Sequence, residues 1–177
     1  PAGGLGLIAC PWLKALGATV IGTVGSLEKA ELAKENGCDH VILYKEEDFV
    51  AKVRSLTGGK GVAVAYDSVG KTTLAKTLDC VSRRGMVVAF GNASGKADSV
   101  DPLALSQKGS IYLTRPTMAD YTLTREELLA SATALFDVIR SGAVKVRIGQ
   151  TFALKEAGSA HRALESRQTT GSTVLLP

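Results

Sequence analysis

The chain has 177 residues, 45% of them apolar and only 5% aromatic, and carries 21 Lys and Arg against 17 Asp and Glu for a net charge of +4. That apolar content excludes a disordered polypeptide, and no apolar stretch reaches the roughly 20 residues of a membrane span. The basic residues alternate with acids, as in EKAELAKE and KEEDFVAKVR, so nucleic acid is not an expected partner; a mild positive excess favours an anionic ligand. The elements predicted in chain order alternate. A helix is expected over 4–16, then a short β-branched strand over 18–24 and a helix over 27–36 that stops at Gly37. A strand over 40–44, a helix over 47–56, a strand over 62–66, a helix over 71–81 and a strand over 85–90 follow. The loop GNASGKADSVDP then leads to a short helix over 103–107 and a strand over 110–114.

Strands alternating with helices of this length imply βαβ units and a parallel sheet covered on both faces. Right-handed crossovers make that an α/β doubly wound sheet, with its ligand beyond the carboxyl ends of the strands. The C-terminal part reads differently. A longer amphipathic helix spans 124–140, with Thr124 and Glu127 spaced as a capping box and Leu128, Leu129, Ala132, Leu135, Phe136 and Ile139 on one face. A strand-like VKVRIG, a helix over 155–166 and a last strand, TVLLP, complete the chain.

Cys10, Cys38 and Cys80 are far apart and odd in number, which fits a reducing compartment rather than a disulfide framework. With no CxxC pair and only His40 and His161, a zinc site is not expected.

The chain opens PAGGLGLIAC. A glycine-rich turn entering a helix lets backbone approach a pyrophosphate, and the helix N-terminus offers free N–H groups and the positive end of its dipole. Such a turn ordinarily follows a strand; on its own, it could equally be a linker. The next strand end tests it. A site for NAD places Asp or Glu there to bind the ribose 2′-hydroxyl, whereas this chain has Gly22-Thr23-Val24-Gly25-Ser26 and then Lys29 one turn into the helix. Small residues leave room, a hydroxyl donates and an ammonium pairs with phosphate, so the pocket suits the 2′-phosphate of NADP. Tyr44 ends the following strand, over the adenine, at the same phosphate, or in the packing. Asp67-Ser68 and Phe90-Gly91-Asn92 end the next two, at the edge where ligand contacts concentrate.

The stretch GGLGLIACPWLKALGATVIGTVGSLEKA, with YDSVG, FGNASG, QKGSIYLTRP and TREELL after it, resembles the NADPH:quinone oxidoreductases, zinc-free members of the medium-chain dehydrogenase/reductase superfamily related to zeta-crystallin. The resemblance covers essentially the whole chain. It implies a Rossmann NADP-binding domain over 1–122 that begins inside its first turn, without the first strand. It also implies a segment over 123–177 that returns to an N-terminal catalytic domain of GroES-like fold lying outside this sequence; the lack of an initiator Met agrees with that expectation. By the same resemblance Gly3, Gly4, Leu5 and Gly6 hold the pyrophosphate. Gly25, Ser26, Lys29 and Tyr44 form the 2′-phosphate pocket, and Ser68, Phe90, Gly91, Asn92 and Thr114 line the rest of the NADPH. Arg167 is assigned to the cofactor on the resemblance alone. Pro11 and Ala93 depart from the family pattern, where a non-proline residue and a hydroxyl are usual.

The implied reaction is hydride transfer from NADPH to a quinone, with no catalytic residue and no metal, by a cytoplasmic homodimer. The alternatives are an enoyl-thioester reductase of the same superfamily and a non-catalytic NADP-binding module. A methyltransferase ranks last, because GTVGS lacks the acid its ribose contact uses.

Overall fold

The computed structural model describes residues 1–166 and 169–177. It divides into two compact units, one built from Pro1–Glu47 and Ala130–Pro177 and the other from Asp48–Leu129. All strand pairings are parallel, as the alternation of strands and helices requires.

In the first unit, α1 (Gly6–Ala15) leads to β1 (Ile21–Val24), α2 (Leu27–Glu35) and β2 (His40–Leu43). β1 and β2 pair in parallel with Ile21 opposite His40 and Val24 opposite Leu43. Their short βαβ unit closes over a core of Ala2, Cys10, Val20, Val24, Ala30, Ala33 and Cys38. The small side chains of α2 let it pack closely on the strands; Ala33 is fully buried. The α2–β2 turn needs Gly37, whose φ is +94° and whose Cβ would lie 2.9 Å from the Pro11 Cα. Pro11 lies inside α1, where it removes the bond its N–H would give to the carbonyl four residues back, a loss of up to about 3 kcal/mol. The helix nevertheless runs unbroken to Ala15.

In the second unit, α3 (Phe49–Leu56), β3 (Val62–Asp67), α4 (Leu74–Thr77), β4 (Val81–Ala89), α5 (Pro102–Gln107), β5 (Tyr112–Thr114) and α6 (Met118–Tyr121) follow in turn. The sheet order is β3-β4-β5. Leu74, Leu78, Val81, Val87 and Ile111 form its buried core. The Arg54 guanidinium gathers loose backbone ends: it donates to the carbonyls of Asp79, Val81 and Gly59 at 2.7–3.1 Å.

The helix expected over 71–81 is a single turn, α4. Before it, Asp67 holds the chain in a capped loop, and after it Val81 is already in the sheet, making β4 longer than read from the sequence. The turn of helix at α6 was not anticipated.

α7 (Arg125–Arg140) crosses from the second unit into the first. Its capping box forms as expected: the Glu127 N–H donates to the Thr124 Oγ1 at 3.2 Å, and the Glu127 carboxylate accepts from the Thr124 N–H at 2.9 Å. No residue of α7 is buried; Leu128, Leu129 and Phe136 of its apolar stripe are exposed. β6 (Ile148–Ala153) starts four residues later than VKVRIG suggests; one 3₁₀ turn, α8 (Ala157–Glu165) and β7 (Ser172–Leu176) follow. β7 pairs with β6, and Gly171 bridges Gly3.

Candidate functional site

In the first unit the glycine turn is built as a close backbone approach. The Gly3 carbonyl accepts from the Leu7 N–H at 3.0 Å, closing the first turn of α1. A Cβ at Gly4 would lie 3.2 Å from both the Gly171 carbonyl oxygen and the Ser172 hydroxyl, and one at Gly6 would overlap Pro1. Leu5 is exposed. It holds the N-cap position of α1 with no side-chain cap, and the positive end of a helix dipole favours an anion.

At the carboxyl end of β1, Gly25 faces Tyr44 across the strand pair. The Tyr44 N–H donates to the Val24 carbonyl at 3.1 Å, and a Cβ at Gly25 would lie 2.9 Å from the Tyr44 hydroxyl and 3.4 Å from the Lys45 Cε. Glycine at this position lets the Tyr44 hydroxyl close against the backbone at the end of β1. Ser26 caps α2: its Oγ accepts from the Lys29 N–H at 3.4 Å. Its hydroxyl proton therefore remains for another acceptor. Gly25 and Tyr44 meet at the strand ends, Ser26 follows Gly25, and Lys29 lies one turn into α2 with its N–H on Ser26. Lys45 was missed. Its signal, a second residue past the end of β2 with a cationic side chain, is weak, because exposed lysines follow many strands.

In the second unit the loops after β3 and β4 are locked to each other. Asp67, 4% exposed, accepts from the N–H groups of Val69 and Gly70 at 2.8 and 3.0 Å and from the hydroxyls of Thr73 and Thr77 at 2.8 and 2.7 Å. The Ser68 carbonyl accepts from the Ala93 N–H at 3.1 Å and that of Val69 from the Ser94 N–H at 2.8 Å. The Ser94 hydroxyl donates to Val69 O at 2.8 Å and accepts from the Thr72 N–H at 3.1 Å. A hydroxyl is thus present one position after Ala93, already engaged in the backbone of the loop. Gly91 lies against Ser68, and the Asn92 Oδ1 lies 3.3 Å from where a Gly70 Cβ would be. The Phe90 ring meets Tyr66 edge to face at 6.5 Å. Thr114 pairs with Val88 at the end of β5. Ser68, Phe90, Gly91 and Asn92 therefore form one cluster, with Thr114 one strand away. Arg167 lies outside the described residues. Among the described residues, no helix is long and apolar enough to cross a membrane.

Residues 4–136 match the family model described as zinc-binding dehydrogenase. The chain is 54% identical over 99% of its length to a quinone oxidoreductase of Salmonella typhimurium, covering 54% of that protein. It is 49% identical to a 2-haloacrylate reductase of a Burkholderia species, over 99% of its own length and 53% of the relative. Against the crystal structure of Escherichia coli quinone oxidoreductase complexed with NADPH it shows 52% identity and a TM-score of 0.95, covering 99% of this chain and 55% of that one. The chain spans about half the length of these relatives. With a parallel α/β fold, a glycine turn opening a helix and a family match over three quarters of its residues, the chain belongs to the zinc-binding dehydrogenase family.

Proposed function

We propose that this chain is the cofactor-binding part of an NADPH-dependent quinone oxidoreductase. The observation that carries the reading is the set of side chains at the end of β1. The Tyr44 hydroxyl lies close against Gly25, with the Ser26 hydroxyl and Lys29 at the start of the next helix. A phosphate fits this donor set, and a ribose diol seeking a carboxylate does not. Gly3, Gly4, Leu5 and Gly6 would hold the diphosphate at the uncapped start of α1.

The assignment of Ser68, Phe90, Gly91, Asn92 and Thr114 to the nicotinamide end rests on their strand-end positions and on the resemblance. NADPH supplies a hydride, and an electron-poor quinone accepts it. The part of these residues is to orient the nicotinamide ring and keep water from it; no side chain is asked to act as acid, base or nucleophile. The same reading gives a Rossmann domain over 1–122, a return over 123–177 to a GroES-like catalytic domain, a cytoplasmic location and a homodimer.

Titration with NADPH and NADH tests the cofactor claim, with NADPH expected to bind at least about tenfold more tightly, about 1.4 kcal/mol. Equal affinities would remove it. A second reading, reduction of an activated alkene, is favoured by the similarity to the haloacrylate reductase. Assays of the full-length protein with 1,4-benzoquinone, a crotonyl thioester and 2-chloroacrylate separate the two; turnover of the alkenes alone would overturn the quinone assignment.

A further inference from the structure

The sulfurs of Cys10 and Cys38 lie 3.5 Å apart in the core of the first unit, where the Cys38 thiol donates to the Cys10 sulfur. Cys10 projects from α1, and Cys38 sits on the turn between α2 and β2; both are buried. Their apposition is built into the backbone, because Gly37 and Pro11, the chain neighbours of the two cysteines, make the close α1–turn contact described above. Gly22 provides the room for the second sulfur: a Cβ there would lie 2.9 Å from the Cys38 Sγ. Neither thiol has a part in the cofactor site.

We propose that Cys10 and Cys38 are a modification site, oxidised by hydrogen peroxide to an intramolecular disulfide. Closure to a sulfur–sulfur bond of about 2.05 Å requires an approach of about 1.5 Å. The hydrogen bond from Cys38 holds the Cys10 thiol below its usual range, against the opposing effect of burial. The same bond, with burial, pushes Cys38 up. In the proposed order Cys10, which accepts the hydrogen bond, is the attacking sulfur, and Cys38, which donates it, resolves the product.

The Cys10 thiolate attacks one peroxide oxygen and the O–O bond breaks. The expelled hydroxide takes a proton to become water, and Cys10 becomes a sulfenic acid. The Cys38 sulfur then attacks the Cys10 sulfur, the S–O bond breaks, and the Cys38 proton leaves with the hydroxyl as a second water. In sum, two thiols and one peroxide give one disulfide and two waters. The two electrons lost by the sulfurs are those gained by the peroxide.

Cys80 is the internal control. It is also buried, but its thiol bonds the Lys76 carbonyl at 3.5 Å instead of another sulfur, and burial pushes it up to about 11. The test treats the full-length protein with hydrogen peroxide, blocks remaining thiols with iodoacetamide and maps non-reduced peptides by mass spectrometry. A Cys10–Cys38 linked peptide is expected, reversed by dithiothreitol and forming roughly tenfold or more faster than any modification of Cys80. In Cys38→Ser, dimedone should trap a sulfenic acid on Cys10; in Cys10→Ser, Cys38 should stay unlabelled at the same dose. Absence of the linked peptide from the wild-type protein, or Cys80 reacting as fast as the pair, overturns the proposal. Dimedone labelling of Cys38 in Cys10→Ser overturns the order of attack. The readout needs neither cofactor nor quinone, so it stands apart from the proposed function.

Discussion

Gly91 rests directly on Ser68: a Cβ at Gly91 would lie 2.9 Å from the Ser68 Cα and overlap the Ser68 carbonyl oxygen. The obstacle is backbone, which the loop after β3 cannot move without breaking the bonds its carbonyls accept from Ala93 and Ser94. Gly91→Ala is therefore expected to destabilise the protein by about 1–3 kcal/mol, as overpacking does. It should also weaken NADPH binding more than a surface substitution of equal stability cost. Urea denaturation and cofactor titration on the same preparation check both.

Lys29 lies on the first turn of α2, half-buried, with its backbone N–H held by Ser26. Replacing it by glutamate puts a carboxylate where the proposed 2′-phosphate sits. Lys29→Glu should weaken NADPH roughly tenfold or more while leaving NADH nearly unchanged, in line with the strength of charge-assisted bonds to phosphate. An unchanged ratio of the two affinities would count against the pocket.

The buried Asp67 carboxylate satisfies four donors at once. Asp67→Ala leaves the Val69 and Gly70 N–H groups and two threonine hydroxyls to find other partners, and should cost about 2–4 kcal/mol. Asp67→Asn retains one oxygen for the two N–H groups, and the threonine hydroxyls can rotate to accept from the amide, so the loss should be smaller. The order Asp, Asn, Ala in urea midpoint is the expected result; Asn as damaging as Ala would contradict the assignment of donors.

The Glu127 carboxylate accepts from the Thr124 N–H and from the Thr124 hydroxyl, and these bonds hold it below its ordinary value of 4.5. A depressed carboxylate contributes stability that is present above the unfolded value and is lost as pH falls through the folded one. The start of α7 should therefore fray as pH falls below the ordinary carboxylate value of 4.5, and Glu127→Gln should flatten that part of the profile. Thr124→Ala removes the reciprocal bond and should cost about 1 kcal/mol at neutral pH. Circular dichroism across the pH range follows the first effect, and urea denaturation the second.

Much of the alternation was legible because each short element carries its own local signal. Leu27 to Glu35 is bounded by a capping serine and a turn that needs Gly37, and the apolar run before Gly25 has no helical period. What failed was where a long-range contact overrides local preference. Residues 71–81 have helical composition, yet Asp67 captures Thr73 and Thr77 from one side and the sheet captures Val81 from the other, leaving one turn. The apolar stripe of α7 was readable, but periodicity cannot tell a stripe that is covered from one that is exposed, as Phe136 is. At the candidate site, the proximity of Gly25, Ser26 and Tyr44 was legible because they sit at neighbouring strand ends. Lys45 and the locking role of Ser94 were not, since both depend on which loops meet. The Cys10–Cys38 pair lay beyond reach for the same reason, because 28 residues of chain separate the partners.

The first unit draws on both ends of the sequence, and the bridge between Gly3 and Gly171 joins them. The second unit is one uninterrupted stretch. A ribosome therefore releases residues 48–129 of the second unit before residues 130–177 of the first have been made. The order of synthesis favours folding of residues 48–129 before residues 130–177 can join the first unit.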